Sequence, residues 1–170
     1  MSNTDRVVDL CDVSSLSIPD QGFEVQVKVI NYFAPRYVPG GKVLYLGDMA
    51  NKDLYRNDVI LKEIGIPISE YSKFPDIVIY DEARQWLFLI EVITLHGPVS
   101  PERMLELEES LKDCRVGKVY VSAFPDKAEF KKYVADIAWE TEVWIADTPD
   151  HIIHYNGDRF IGPRKTPTDD

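Results

Sequence analysis

The chain has 170 residues, 45% of them apolar, with three Trp, nine Tyr and seven Phe, so we expect one folded domain rather than a disordered chain. Its net charge of −10 argues against a protein whose whole surface binds nucleic acid, although it allows a local basic groove around an acidic metal centre. Cys11 and Cys114 are too far apart for a clustered zinc site, and the sequence has neither a signal region nor a long apolar run, so we expect a cytoplasmic protein without a membrane partner.

The N-terminal part of the chain passes from a polar leader into regular structure. We expect residues 1–19 to be poorly ordered, residues 20–163 to form the domain, and residues 164–170 to be a polar tail. Residues 22–34 fit both the two-residue period of a strand and one face of a helix, so their spacing leaves both open. Residues 42–47, which follow a loop rich in Pro and Gly, are predicted to form a short buried strand.

A polar loop over residues 48–53 separates this strand from the next helix. We predict that helix over residues 54–64, with Gly65 as its C-terminal stop. Two apolar strands come next, and a tight turn at residues 81–84 joins them into a hairpin. The turn therefore determines which side chains at the two outer strand ends lie next to each other.

Helices and strands alternate in the second half of the chain. Ser100 is a suitable N-cap and Pro101 a suitable first residue for a helix, and Asp126 with Glu129 forms a capping box for another. The predicted elements are a helix over 101–113, a strand over 118–124, a helix over 127–138, a strand over 142–146, and a terminal hairpin with strands at 151–155 and 159–161. Because a strand–helix–strand unit normally makes a right-handed parallel crossover, we expect an α/β domain with a mixed central sheet flanked by helices.

Two acids, Asp76 and Glu91, are the main chemical signal of the sequence. Glu91 interrupts the apolar run over 87–93, where a carboxylate is costly unless it is paired or bound to a metal. The hairpin can bring both acids to neighbouring strand ends, and two carboxylates there can bind a hard divalent ion such as Mg²⁺. The alternative is that Asp76 caps its strand and Glu91 pairs with a buried Arg or Lys. Spacing alone leaves both interpretations open.

Several segments, in order along the chain, resemble one known family. The Pro-Asp pair followed fifteen residues later by Glu is similar to the nuclease superfamily motif PD-(D/E)XK. More specifically, the chain resembles the catalytic domain of the BsuBI/PstI family of type II restriction endonucleases over roughly residues 30 to 163. The segments that carry this resemblance are PRYVPG at 35–40, LYLGD at 44–48, FPDIVIYDE at 74–82, WLFLIEVITLHGPV at 86–99 and AWETEVWIA at 138–146.

The resemblance implies a PD-(D/E)XK nuclease-like fold and Mg²⁺-dependent hydrolysis of double-stranded DNA, with Mn²⁺ as a substitute ion. It assigns metal binding to Asp76 and Glu91, and it favours a helix for residues 22–34. Cleavage of both strands of a palindrome further implies a symmetric homodimer. From its position, Asp48 is either an additional metal ligand or simply the residue that ends its strand.

One departure from the family pattern concerns the motif lysine. That lysine would lie two residues after the glutamate, where this chain has Ile93, which can neither orient water nor stabilise a developing negative charge. Lys52 is our first candidate replacement because it lies in a polar loop after a strand, and Lys62 is the second. His96 is a candidate for polarising water or contacting phosphate. A solvated lysine and a local hydrogen-bond partner are the alternatives for Lys52 and His96.

A second departure is length, because members of the family are about twice as long and their additional N-terminal region is thought to help read DNA. We therefore expect either a natural short form or an excised domain. Two competing functions remain at this point. One is a nuclease-shaped binding or assembly module that has lost catalysis, which Ile93 favours. The other is a small-molecule-binding α/β protein, which only the crossover pattern suggests.

Overall fold

A seven-stranded mixed sheet organises the part of the chain that the structure, a computed structural model, describes, which is residues 24–47, 53–66, 74–93, 97–157 and 161. The strands are β1 (Lys42–Gly47), β2 (Asp53–Arg56), β3 (Ile77–Asp81), β4 (Trp86–Val92), β5 (Gly117–Phe124), β6 (Thr141–Ile145) and β7 (Ile152–Tyr155). The helices are α1 (Glu24–Lys28), a π-helical turn (Val29–Phe33), α2 (Ala34–Tyr37), α3 (Asp58–Glu63), α4 (Pro101–Ser110) and α5 (Lys127–Tyr133).

The strand order in the sheet is β2-β1-β3-β4-β5-β6-β7. The pairs β4–β5 and β5–β6 are parallel because α4 and α5 provide the crossovers, and the remaining pairs are antiparallel. The predicted α/β class with a mixed central sheet flanked by helices is therefore confirmed. No helix in the described ranges is long and apolar enough to cross a bilayer.

Helices cover both faces of the sheet. On one face, Phe33 from the N-terminal helical segment packs edge-on against Phe88 and Trp144, with ring centroids 6.3 and 5.6 Å apart. On the other face, Leu61 of α3 and Leu107 of α4 belong to a buried cluster with strand residues of β1, β3, β4 and β5. The sheet is thus buried on two sides, which explains why its central strands are almost continuously apolar.

The ambiguous segment 22–34 is helical throughout its described part, residues 24–34, and the helical structure continues to Tyr37. The expectation of a helix over 54–64 is wrong at its start, because Asp53–Arg56 is strand β2, paired antiparallel with β1. Tyr55 is buried against the core there, and α3 begins only after Asn57, whose side chain accepts a 3.1 Å hydrogen bond from the backbone of Ile60. The N-cap therefore places the boundary later than hydrophobic spacing suggests.

The two later helices are shorter than predicted. Helix α4 ends at Ser110 rather than 113, and α5 ends at Tyr133 rather than 138, where the backbone N–H of Asp136 donates a 2.9 Å hydrogen bond to the Tyr133 carbonyl in a tight turn. Gly65 follows α3 with φ +90, as expected of a glycine stop. Strand β7 pairs with β6, and most of the predicted partner at 159–161 lies outside the described residues.

Candidate active site

Asp76 and Glu91 come together at the ends of two neighbouring strands. Strands β3 and β4 pair antiparallel with Ile77 opposite Ile90, so the next residue outward on each strand is one of the two acids. Asp76 Oδ2 accepts a 2.8 Å hydrogen bond from the backbone N–H of Val92. The hairpin turn predicted at residues 81–84 sets this register, and the structure has it at residues 82–85.

Glu91 is a buried carboxylate, with only 4% of its side chain exposed. Burial, together with the charge of Asp76 and a hydrogen bond between the two carboxyl groups, raises the pKa of Glu91 to about 7, and Arg103 opposes this shift. Two carboxyl groups this close cannot both be ionised cheaply without a proton or a cation between them. The pair is therefore an arrangement that attracts positive charge.

Arg103 supplies such a charge, and sequence reasoning did not single it out. Its Nε lies 2.7 Å from Glu91 Oε1, Nη2 donates a 3.1 Å hydrogen bond to the carbonyl of Phe74, and Nη1 lies 3.2 Å from Glu106 Oε2. The alternative in which Glu91 pairs with a basic residue thus describes a contact that exists, although Arg103 is partly rather than fully buried. The sequence did contain a signal for this residue: Arg103 is an arginine in the first turn of an otherwise acidic helix, and cations are unfavourable at helix N-termini.

Local capping positions Arg103. Ser100 is the N-cap of α4, and its hydroxyl accepts a 3.1 Å hydrogen bond from the backbone N–H of Arg103 itself. The preceding residue is tied to the sheet, because the backbone N–H of Val99 donates a 2.9 Å hydrogen bond to Ser122 Oγ. Ser122 lies directly beside Glu91 in the parallel β4–β5 register, so the start of α4 is fixed next to the acid pair.

Ile93, at the position of the motif lysine, is packed into the core. It is 3% exposed and belongs to a buried cluster with Phe124, Ile137, Val143 and Ile145. An ammonium group at this point would have to leave water for apolar surroundings. The local environment explains why an apolar residue occupies this position, and it means that any cationic side chain at the site comes from elsewhere in the chain.

Of the four other candidates, only Lys62 lies within the described residues. Asp48, Lys52 and His96 lie outside the described residues, so their predicted roles stay predictions. Lys62, the second replacement candidate, is exposed near the C-terminal end of α3. Within the described ranges no group of three or more Asp, Glu, His or Cys side chains is arranged to hold a metal ion.

The donor set of the acid pair nonetheless suits a hard divalent cation. Asp76 and Glu91 offer carboxylate oxygens, which Mg²⁺ prefers, and Mg²⁺ commonly uses only one or two protein carboxylates and keeps water for its remaining positions. Their mutual repulsion would be relieved by a dication between them. The residues that are present therefore fit this class of ion, with Arg103 as a competing cation on Glu91.

Comparisons with known proteins agree with the resemblance seen in the sequence. The family model described as "BsuBI/PstI restriction endonuclease domain" matches residues 12–158. The chain is 46% identical over 145 residues to the type II restriction enzyme BsuBI of Bacillus subtilis, covering 85% of this chain and 46% of that enzyme. It is 29% identical over 154 residues to the type II restriction enzyme AplI of Arthrospira platensis, covering 86% and 48%.

A solved structure, that of the SdaI restriction endonuclease, superposes with a TM-score of 0.72 at 38% identity, covering 82% of this chain and 44% of that one. The predicted restriction endonuclease-like fold is therefore confirmed. The chain spans about half the length of the relatives it matches. Since the family model accounts for most of its residues, the chain belongs to the BsuBI/PstI restriction endonuclease domain family.

Proposed function

We propose that this chain is a Mg²⁺-dependent endonuclease that hydrolyses phosphodiester bonds in double-stranded DNA, as a type II restriction enzyme does. The observation that carries the proposal is the convergence of Asp76 and Glu91 at the ends of β3 and β4 in a member of this family. Relatives named as type II restriction enzymes support the reaction class. Mn²⁺, another divalent cation that suits carboxylate oxygens, is the proposed substitute ion.

Asp76 and Glu91 have distinct parts in this proposal. Asp76 is held by Val92, so its charge stays next to Glu91. Glu91 is buried, so its charge acts through surroundings of low dielectric and attracts a cation more strongly than an exposed acid would. When bound, the divalent ion would supply Lewis-acid activation of the scissile phosphate. The two side chains therefore hold and orient the ion rather than react covalently.

Three further residues keep proposed roles that follow from their positions in the sequence. Lys52 would supply an ammonium group near the developing negative charge, and His96 would polarise water or contact phosphate. Asp48 would be an additional metal ligand. Each would have to approach Asp76 and Glu91, which makes substitution of these residues part of the test.

The test is cleavage of supercoiled plasmid and of oligonucleotide duplexes by the full chain in Mg²⁺ and in Mn²⁺. Asp76→Asn and Glu91→Gln should each abolish cleavage, while Lys52→Ala, His96→Ala and Asp48→Asn should each lower it. Asp150→Asn is the matched control, because Asp150 is an exposed acid paired with Arg36 and should be neutral. Absence of nicking by the wild type in either ion would contradict the proposal.

Assembly and location complete the proposal. We propose a homodimer on DNA, because two-fold symmetry in a palindromic site is best matched by two-fold symmetry in the protein. Sedimentation of the chain with and without a duplex would test this.

The net charge of −10 is easier to reconcile with DNA binding if part of the binding surface lies in a further region. Two widely separated cysteines fit a reducing cytoplasmic location.

A second candidate function is a nuclease-fold module that binds DNA or assembles without cleaving it. Two observations favour it: Ile93 at the lysine position, and Arg103 on a Glu91 oxygen. Calorimetric titration with Mg²⁺ separates the two candidates. An endonuclease should release binding heat with Mg²⁺, and this heat should disappear in Asp76→Asn. A module with a non-functional pocket should give no such site-specific heat in the wild type.

A further inference from the structure

Arg103 occupies an unfavourable position for a cation. It lies in the first turn of α4, where the helix dipole disfavours positive charge, and its guanidinium is partly withdrawn from water. Contacts with Glu91, Glu106 and the Phe74 carbonyl compensate for this. Placing a positive charge here is costly unless the charge has a function. We therefore consider Arg103 and the acid pair, Asp76 and Glu91, as one unit.

The contact between Arg103 and Glu91 uses one of the two carboxylate oxygens through which Glu91 could bind a metal ion. Arg103 Nε is 2.7 Å from Glu91 Oε1, while Asp76 is close to the same carboxyl group. Glu91 cannot give its full charge to a dication and to the guanidinium together, and the two cations would repel each other at this range. Arg103 and a divalent ion therefore compete for Glu91.

Arg103 is also the more accessible partner of this ion pair. Its side chain is 22% exposed, against 4% for Glu91, so it borders both the buried acid and solvent. Guanidinium groups bind phosphate through paired N–H donors in a planar fork. A guanidinium released from Glu91 would stand next to the place where a phosphodiester must lie if the acid pair holds the ion that activates it.

We propose that Arg103 is the counter-ion of Glu91 in the metal-free protein and becomes a phosphate-binding group when a divalent cation takes its place on Glu91. The inference rests on the proposed function, since it assumes that the phosphate belongs to DNA. Glu91 exchanges the guanidinium for the divalent cation, and Arg103 exchanges the carboxylate for the phosphate. Binding of the ion and of DNA should therefore strengthen each other, and the coupling must be reciprocal.

The first experiment measures Mg²⁺ affinity by calorimetry in the absence of DNA, at alkaline pH so that Glu91 is ionised in every variant. Arg103→Gln removes the competing charge but keeps hydrogen-bond donors for Glu91, so Mg²⁺ should bind about five-fold or more tightly than in the wild type. Arg103→Lys keeps the charge and should stay within about two-fold of the wild type. Arg36→Gln is the matched control, because Arg36 makes a similar 2.7 Å ion pair with Asp150, and it should leave Mg²⁺ affinity unchanged.

Unchanged or weaker Mg²⁺ binding in Arg103→Gln would overturn the inference, because an arginine that merely holds Glu91 in place would lower metal affinity when removed. Circular dichroism checks that the variant is folded. If Arg103→Gln does not fold, Arg103→Lys carries the test. Metal affinity equal to that of the wild type then supports competition by charge, and a loss of affinity overturns it.

The second experiment measures duplex binding by fluorescence anisotropy with and without Ca²⁺, a hard cation that also prefers oxygen ligands, with a gel check that the duplex stays intact. Ca²⁺ should tighten DNA binding by the wild type and by Arg36→Gln, and this gain should be lost in Arg103→Gln. Retention of the full gain in Arg103→Gln would contradict the inference.

The two proposals fail in different ways. If the wild type never cleaves DNA but Arg103→Gln binds Mg²⁺ more tightly, the endonuclease proposal fails and the exchange of cations on Glu91 is supported. If the wild type cleaves DNA and Arg103→Gln changes neither metal binding nor its coupling to DNA, the endonuclease proposal stands and the role of Arg103 is refuted.

Discussion

Asp76 Oδ2 accepts a 2.8 Å hydrogen bond from the backbone N–H of Val92, so the acid at the start of β3 is fastened to the strand that carries Glu91. The backbone pairing of β3 with β4 reaches Ile77 and Ile90, and this side-chain hydrogen bond adds one more contact between the two segments beyond that pair. The carboxylate that repels Glu91 is thus held in place by the residue that follows Glu91. Geometry that favours a cation is maintained at the cost of repulsion between two acids.

Substitutions of Asp76 should separate its charge from its hydrogen bond. Asp76→Asn keeps an acceptor for Val92 and removes the repulsion, so its stability should equal or exceed that of the wild type. Asp76→Ala also removes the repulsion but leaves the Val92 N–H without this acceptor, so it should be about 1 kcal/mol less stable than Asp76→Asn. Urea unfolding measures the stabilities. Both variants should lose cleavage, and equal loss of stability in both would show that the hydrogen bond contributes nothing.

The protonation of Glu91 should make the stability of the metal-free protein depend on pH. The pKa of Glu91 is about 7 in the folded protein against an ordinary value of 4.5 for a glutamate, so the folded state binds this proton more tightly. The free energy of unfolding should therefore fall as pH rises from about 4.5 through 7, by at most on the order of 3 kcal/mol. Urea unfolding in EDTA between about pH 5 and 8 measures this fall.

The matched variants for this pH dependence are Glu91→Gln and Glu102→Gln. Gln at position 91 has no proton to lose, so the curve of stability against pH should be flatter than in the wild type. Glu102 is an exposed acid on α4, and its substitution should leave the shape of the wild-type curve unchanged. A Glu91→Gln curve parallel to the wild-type curve would show that Glu91 does not titrate differently on folding.

Restoring the motif lysine should damage the protein rather than improve it. Ile93 is 3% exposed in an apolar cluster, so Ile93→Lys would bury an uncompensated charge and should cost about 3 kcal/mol or more. Ile93→Met keeps the apolar character and should cost less than about 1.5 kcal/mol. Thermal or urea unfolding compares the two. A stable Ile93→Lys variant with increased cleavage would mean that the lysine side chain reaches the acid pair.

Ser122 should contribute to the stability of the fold because its side chain joins β5 to the start of α4. Ser122→Ala removes the hydroxyl that accepts from the backbone N–H of Val99 and leaves that donor buried, which should cost about 1 to 3 kcal/mol. Ser110→Ala, at the last residue of α4, is the control and should change stability by less than about 0.5 kcal/mol. Similar urea midpoints for the two variants would count against this link.

Local signals explain why much of the sheet could be predicted. Apolar strands bounded by a tight turn fix the β3–β4 hairpin, and the side chains of Ser100 and Asp126 cap α4 and α5 as their positions suggested. The prediction failed at Asp53–Arg56, because a short edge strand pairs with β1 through contacts that hydrophobic spacing does not encode. Helix ends were also misjudged, since tight turns rather than Gly or Pro end α4 and α5.

The sequence by itself determined the α/β class, the hairpin and the adjacency of Asp76 and Glu91, because each depends on neighbouring residues and a short turn. Only the tertiary structure decided that Arg103 would rest on Glu91 and that Ile93 would be enclosed by apolar side chains. Both outcomes depend on where the crossover helix and the next strands pack against β4. Such packing is set by the whole core, so spacing along the chain cannot reveal it.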